Sequence, residues 1–103
     1  MDDRIKRIEK YESILNEALE SVEALDLALE DGLKMDHLID RHLKLQDKIH
    51  DLEDYYSSPI YMEDLKADEE GLIPFDLPRG ILSEDAIFNL LIDNDRILKE
   101  IKK

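Results

Sequence analysis

Two long stretches of the sequence carry apolar residues at alternating spacings of three and four, which places side chains on one face of an α-helix. In the first stretch these residues are Ile8, Tyr11, Leu15, Ala18, Val22, Leu25 and Leu29. In the second stretch they are Met35, Leu38, His42, Leu45, Ile49, Leu52 and Tyr56. Gly32 lies between them and lowers the helix propensity where the chain must reverse. The pattern predicts a long antiparallel hairpin of two helices, over about 3–31 and 33–56.

The charges along the two stretches also fit an antiparallel arrangement. Basic residues open the first stretch, whereas residues 12–33 contain seven acids and no base. An antiparallel neighbour places a set of acids beside the basic start: Asp47, Asp51, Glu53 and Asp54. It places a set of bases beside the acidic end: Lys34, Arg41, Lys44 and Lys48. Exposed ion pairs are weak singly, so this match indicates register and does not account for stability.

The segment "DYYSSP" interrupts the helical pattern. Ser58 followed by Pro59 is typical of a helix start, because a hydroxyl can accept from free N–H groups and proline fits the first helical position. We therefore predict a short helix over about 59–70, closed by Gly71 in the left-handed conformation. The following "LIPFDLPRG" (72–80) predicts an extended connector. Its apolar residues are expected to pack across the hairpin, and they are Leu72, Ile73, Phe75 and Leu77.

The last helix has a clear start. Ser83 is a candidate N-cap, and Glu84 and Asp85 place negative charge in the first turn, where the helix dipole favours it. The apolar residues that follow predict a helix over about 84–102. Taken together, residues 1–103 predict a single all-α domain in which the hairpin packs with a short helix, a connector and a C-terminal helix.

The charge balance limits the partners that this chain can bind. Charged residues make up 40% of the sequence and the formal net charge is −13. A surface with this much negative charge repels nucleic acid and anionic lipid, but it is compatible with a basic protein partner. We find no apolar leader segment and no apolar run of the roughly 18 residues that a membrane span needs, so a cytoplasmic protein is expected.

Three segments carry a resemblance to a known family: "DYY" (54–56), "EDLKADEEG" (63–71) and "RGILSED" (79–85). In this order they resemble the small bacterial and phage proteins catalogued as domain of unknown function 4298. The resemblance covers nearly the whole chain. It implies a helical fold and carries no implied activity, cofactor or catalytic residue.

Few residues favour catalysis or metal binding. His42 lies on the second apolar stripe, which favours a buried histidine bonded to a neighbour. Asp47 and His50 are three residues apart and could share a metal, although such a pair is common by chance. A dense group of acids does not follow a calcium-loop pattern and favours a solvated face, with weak divalent-cation binding as the alternative: Glu63, Asp64, Asp68, Glu69, Glu70 and Asp76. We therefore predict no catalytic activity, no metal site and no cofactor.

The corner where "DYYSSP" meets "PRGILSED" is the candidate site. Arg79 is expected to pair with Asp54, Asp76 or Asp85 and to fix the corner. The alternative is a recognition groove formed by Tyr55, Tyr56, Arg79 and the helix start at Ser83, since tyrosine and arginine are common interface anchors. The candidate residues are Asp54, Tyr55, Tyr56, Arg79, Gly80, Ser83, Glu84 and Asp85.

The sequence favours a non-catalytic acidic module that binds a protein partner as an adaptor, for instance as a bacterial or phage inhibitor. Two alternatives stay open. One is a structural homo-oligomer, such as a helical-bundle dimer formed through the wide apolar face of the first helix. The other is a weak divalent-metal-binding protein or a metal-dependent enzyme.

Overall fold

The chain folds into five α-helices in a computed structural model that describes residues 2–32 and 34–101, the side chains of Asp2 and Glu84 excepted. The helices are α1 (Asp2–Asp31), α2 (Asp36–Lys44), α3 (Gln46–Tyr56), α4 (Pro59–Glu69) and α5 (Glu84–Ile101). A 3₁₀ turn at Gly80–Leu82 precedes α5. The predicted all-α class is confirmed, and the predicted helix ends at residues 33 and 102 lie outside the described residues. None of the described helices is both long and apolar enough to cross a bilayer.

The hairpin pairs α1 with α2 and α3, while α5 packs against α1 and α3. Ion pairs across the hairpin confirm the predicted register. Lys10 Nζ lies 3.0 Å from Asp51 Oδ2 near the start of α1, and Lys48 Nζ lies 3.1 Å from Glu17 Oε1 further along. The core is mainly apolar, and its fully buried large apolar side chains include Ile8, Leu25, Ile49, Leu52, Ile81, Ile87, Leu90 and Ile97.

The second arm of the hairpin is divided at Leu45, where the sequence predicts one continuous helix. The Leu45 N–H donates to both the Arg41 and the His42 carbonyls, each at 3.2 Å, which tightens the turn locally. The His42 carbonyl also accepts from Gln46 Nε2 at 3.1 Å, so a side chain competes with the regular helical bond. The chain keeps its direction through this point, and the antiparallel pairing with α1 continues.

The connector departs in part from the prediction. Gly71 closes α4 with φ +75°, as predicted, and its N–H donates to the Asp68 carbonyl at 3.0 Å. Ile73 is buried and Leu77 is half-buried against the core. The expected packing of Leu72 and Phe75 is wrong, because these side chains are 47% and 89% exposed. Phe75 lies in a turn that is closed by a bond from the Leu77 N–H to the Pro74 carbonyl, and its side chain points to solvent.

A buried polar network joins α1, α2, α3 and α5 around His42, whose side chain is fully buried. Ser21 Oγ lies 2.8 Å from His42 Nδ1, and Asn94 Oδ1 lies 2.8 Å from His42 Nε2. The bond from Gln46 to the His42 carbonyl fixes the orientation of the Gln46 amide, which pairs reciprocally with the Asn94 amide at 3.0 Å. Asn94 Oδ1 is therefore an acceptor, so His42 donates from Nε2 and accepts from Ser21 at Nδ1. The predicted buried and bonded histidine is confirmed.

This histidine makes stability depend on pH. Burial lowers the pKa of His42 below its usual 6.5, and the bond to Asn94 only partly opposes this. The folded state therefore binds the proton less readily than the unfolded state. Stability contributed by neutral His42 is present above pH 6.5 and is lost as the pH falls below it, by at most about 1.4 kcal/mol per pH unit.

We expect the free energy of unfolding, measured by denaturant titration, to fall between pH 7.5 and pH 5.5 in the wild-type protein. The variant His42→Gln has no titrating group in the network and should lose this slope. An equal decline in the two proteins would contradict the assignment.

Candidate functional site

Asp64 on α4 is a fully buried carboxylate that accepts three side-chain hydrogen bonds. Arg7 from α1 holds it in a bidentate pair, with Nη2 donating to Oδ1 at 2.7 Å and Nε donating to Oδ2 at 2.9 Å. Tyr55 from α3 donates its hydroxyl to Oδ2 at 2.7 Å. Arg4 Nε lies 3.3 Å from Oδ1 and adds positive charge without an aligned hydrogen bond. One carboxylate on α4 thus binds side chains from two other helices, α1 and α3.

The start of α4 places Asp64 at this position. Pro59 occupies the first turn, as predicted, after an extended Ser58. The Ser58 hydroxyl does not cap the helix, because it donates to the Tyr55 carbonyl at 2.7 Å. Within the helix that begins at Pro59, Tyr61, Asp64 and Ala67 follow one another at intervals of three residues. They therefore share the inward face of α4, and all three are buried.

The network keeps Asp64 ionised. Burial raises the pKa of its carboxyl, but the bonds from Arg7 and Tyr55 outweigh this and hold the pKa below its usual value. The bond to Asp64 raises the pKa of the Arg7 guanidinium. Burial, followed by the bond to Asp64, raises the pKa of the Tyr55 phenol. The group is therefore a carboxylate and a guanidinium with a neutral phenol, an arrangement that fixes geometry.

The four tyrosines of the chain form one cluster of ring contacts, in which Tyr55 bonds this carboxylate. Tyr11 and Tyr55 stack with ring centroids 4.1 Å apart and an interplanar angle of 2°. Tyr61 meets the rings of Tyr55 and Tyr56 edge-on, at 5.3 Å and 5.2 Å. The Tyr61 hydroxyl donates to the Ile81 carbonyl at 2.9 Å, in the 3₁₀ turn before α5. The segments "DYYSSP" and "PRGILSED" are therefore linked through Tyr61, a residue outside the predicted corner.

Arg79 has a different partner from those predicted. Its Nη1 donates to Asp68 Oδ1 at 2.8 Å, so the expected pairing with Asp54, Asp76 or Asp85 is wrong. The three expected acids are solvent-exposed, whereas Asp68 lies one turn after Asp64 on α4 and is half-buried. Arg79 therefore braces the connector against α4.

Gly80 allows the side chain of Glu12 to come close to the backbone, and its own φ is not positive. A Cβ added at Gly80 would be 3.3 Å from both Glu12 carboxylate oxygens, which is a tight contact. Glu12 Oε1 accepts the Ile81 N–H at 2.9 Å, which ties the 3₁₀ turn to α1. A glycine at position 80 leaves room for this contact.

The other predicted corner residues differ in exposure. Tyr55 is buried and Tyr56 is half-buried, the reverse of the order that the apolar stripe predicts. Ser83 is exposed with an extended backbone just before α5. The side chain of Glu84 lies outside what the structure describes.

The sequence interpretation missed Asp64, Arg7 and Tyr61. The predicted solvated acidic face is wrong for Asp64, because its side chain is fully buried. The available signal was its position three residues from both Tyr61 and Ala67. Within the described part of the chain, no group of three or more His, Asp or Glu side chains is arranged to hold a metal ion.

Replacing Tyr55 with phenylalanine removes one donor from a buried carboxylate. We expect Tyr55→Phe to lower the free energy of unfolding by about 2 kcal/mol, the range for hydrogen bonds to charged groups. The matched control is Tyr11→Phe, whose lost acceptor is Asp51 Oδ1 at 3.0 Å. The Asp51 side chain is 43% exposed and can be hydrated, so the control should lose less than about 1 kcal/mol. Equal losses in chemical denaturation would contradict the special role of Asp64.

Comparison with known proteins agrees with the resemblance in the sequence. The family described as a domain of unknown function (DUF4298) matches residues 8–103. No curated protein and no solved structure matches the sequence. The matched region contains Tyr11, Tyr55, Tyr61 and Asp64, while Arg7 directly precedes it. Since the match covers nearly the whole chain, the protein belongs to the DUF4298 family.

Proposed function

We propose that this protein is a non-catalytic, acidic binding module that acts as an adaptor for a basic protein partner in the cytoplasm. The observation that carries the proposal is Phe75, an aromatic side chain that is 89% exposed on a braced turn. An inhibitor encoded by a bacterium or a phage is one form that such a module can take.

The turn around Phe75 is held by several bonds. The Leu77 N–H donates to the Pro74 carbonyl at 3.1 Å, which closes the turn. Arg79 Nη2 donates to the Phe75 carbonyl at 3.2 Å, while Nη1 of the same guanidinium pairs with Asp68 on α4. Pro74 also restricts the backbone directly before Phe75. The phenyl ring is therefore presented by a segment that needs little ordering on binding.

Such a side chain is suited to recognition. An exposed phenylalanine gains free energy when it enters an apolar pocket, and a rigid turn reduces the entropy lost on association. Aromatic anchors surrounded by polar residues are typical of interface hot spots. The net charge of −13 favours encounter with a basic surface and disfavours anionic lipid and nucleic acid. These features together support a basic protein partner.

A structural homo-oligomer is the second candidate, favoured by leucines on the outer face of α1. Leu19 is 39% exposed and Leu27 is 54% exposed, and they lie eight residues apart on one face. A second copy could cover them, although two molecules of charge −13 repel each other. Light scattering separates the candidates, because the binding module is a monomer at every concentration and the oligomer is not.

We expect Phe75→Ala to weaken binding of the native partner by about thirtyfold or more, the effect of removing a hot-spot side chain. The control is Met62→Ala, which removes another exposed apolar side chain, 63% exposed on α4. Both variants should melt like the wild-type protein. Capture from extracts of the native cell, quantified by mass spectrometry, identifies the partner, and titration with that purified partner gives the affinities.

Equal partner recovery by Phe75→Ala and the wild-type protein would overturn the role of Phe75. A loss of the same size in Met62→Ala would also contradict it, because the effect would then not be specific to the turn.

A further inference from the structure

A groove of about 360 Å³ runs between α3 and α5, away from the Phe75 turn. Its α5 side carries Phe88 and Ile92, each 52% exposed, together with the half-buried Leu91 and Leu98. The core takes up a different face of α5, formed by the fully buried Ile87, Leu90 and Ile97. The apolar surface of α5 is thus wider than the part that packs inside the protein.

Two acids on the rim add a second feature. Glu53 on α3 and Asp95 on α5 both line the groove and are solvent-exposed. Neither side chain forms an ion pair or a hydrogen bond with any residue in the described ranges. By contrast, Arg96 on the neighbouring face of α5 is bound to Asp26 at 2.9 Å and 3.0 Å. The groove therefore combines an apolar part on α5, termed its floor (Phe88, Leu91, Ile92 and Leu98), with one carboxylate without an ion pair in the described ranges on each of its two helices.

We propose that this groove binds an amphipathic helix of a partner protein, with apolar residues facing the floor and lysine or arginine residues facing Glu53 and Asp95. Phe88 and Leu98 are ten residues apart on α5, which corresponds to about 15 Å, or close to three helical turns. A partner helix of similar length presents apolar residues at i, i+3 or i+4, and i+7. Its basic flanks pair with the two carboxylates and fix its position in the groove.

Charge distinguishes this occupant from the other candidates. A second copy placing its own groove here would bring Glu53 and Asp95 of both molecules together, within a pair of chains that each carry −13. An anionic membrane surface would be repelled for the same reason. A basic helix satisfies both the apolar floor and the acidic rim.

The inference concerns a surface separate from Phe75 and does not rest on the role of that residue. The probe is a synthetic helical peptide of roughly 14 residues, or about four turns, with leucines at the anchor positions and lysines on both flanks. A twin peptide has glutamate in place of each lysine. Fluorescence anisotropy measures the affinity of each peptide, and amide chemical shifts of the labelled protein locate the bound peptide.

We expect the lysine peptide to bind with shifts concentrated at the groove, and the glutamate twin to bind at least tenfold more weakly. Ile92→Gln should weaken binding of the lysine peptide at least tenfold, while the control Met62→Gln, 63% exposed on α4, should leave it unchanged. The double variant Glu53→Gln/Asp95→Asn should bind the two peptides with more similar affinities than the wild-type protein does. Circular dichroism checks that each variant folds and melts like the wild-type protein.

The proposal is overturned if the lysine peptide does not bind, if its twin binds equally well, or if Ile92→Gln leaves the affinity unchanged. It is also overturned if sedimentation equilibrium shows a dimer that Ile92→Gln dissociates, because the groove would then belong to a second copy. None of these results bears on Phe75, whose test is the recovery of the native partner. Either proposal can therefore be contradicted without affecting the other.

Discussion

The arrangement of the helices depends on a carboxylate that stays ionised out of contact with water. Burying an unpaired carboxylate is strongly unfavourable, so a fully buried Asp64 needs its bidentate guanidinium and its phenol. These donors come from α1 and α3, whereas the acceptor lies on α4. Satisfying one carboxylate therefore fixes where three helices meet. An alternative packing of α4 would leave charges without partners, which favours one arrangement over others.

Buried polar groups set the geometry of this fold, and exposed apolar groups form the surfaces proposed for recognition. Asp68 lies one turn after Asp64 on α4 and holds Arg79, whose guanidinium also bonds the Phe75 carbonyl. The contacts that position α4 thus also position the turn of Phe75. In the same way, the amide pair of Gln46 and Asn94 beside His42 sets α5 against α3 and so sets the width of their groove. Each proposed binding surface is thus positioned by side-chain hydrogen bonds, those of Arg79 at the Phe75 turn and those of Gln46 and Asn94 in the lining of the groove.

The sequence predicts those features that depend on neighbours along the chain. Apolar spacing predicts the hairpin, Pro59 predicts the start of α4, and Gly71 predicts its end, because each signal is local. Which acid is buried cannot be predicted from composition, since Asp64 and its acidic neighbours are chemically alike until α4 docks. The partner of Arg79 and the outward direction of Phe75 depend on tertiary contacts in the same way. Tyr55 and Tyr56 lie three and four residues after the buried Leu52, so both fit the stripe, and the contacts of Tyr55 with Tyr11 and Asp64 decide which of the two is buried.

The central claim is that Arg7 and Asp64 act as a pair, and a double-mutant cycle tests it most directly. The free energy of unfolding is measured for the wild-type protein, Arg7→Met, Asp64→Asn and the double variant. If the pair fixes α4 on α1, each single change leaves a polar group without its partner, and the double variant loses much less than the sum of the two. The account predicts a coupling energy of about 2 kcal/mol or more, within the range for contacting residues. A coupling below about 0.5 kcal/mol, as found for independent sites, would contradict it.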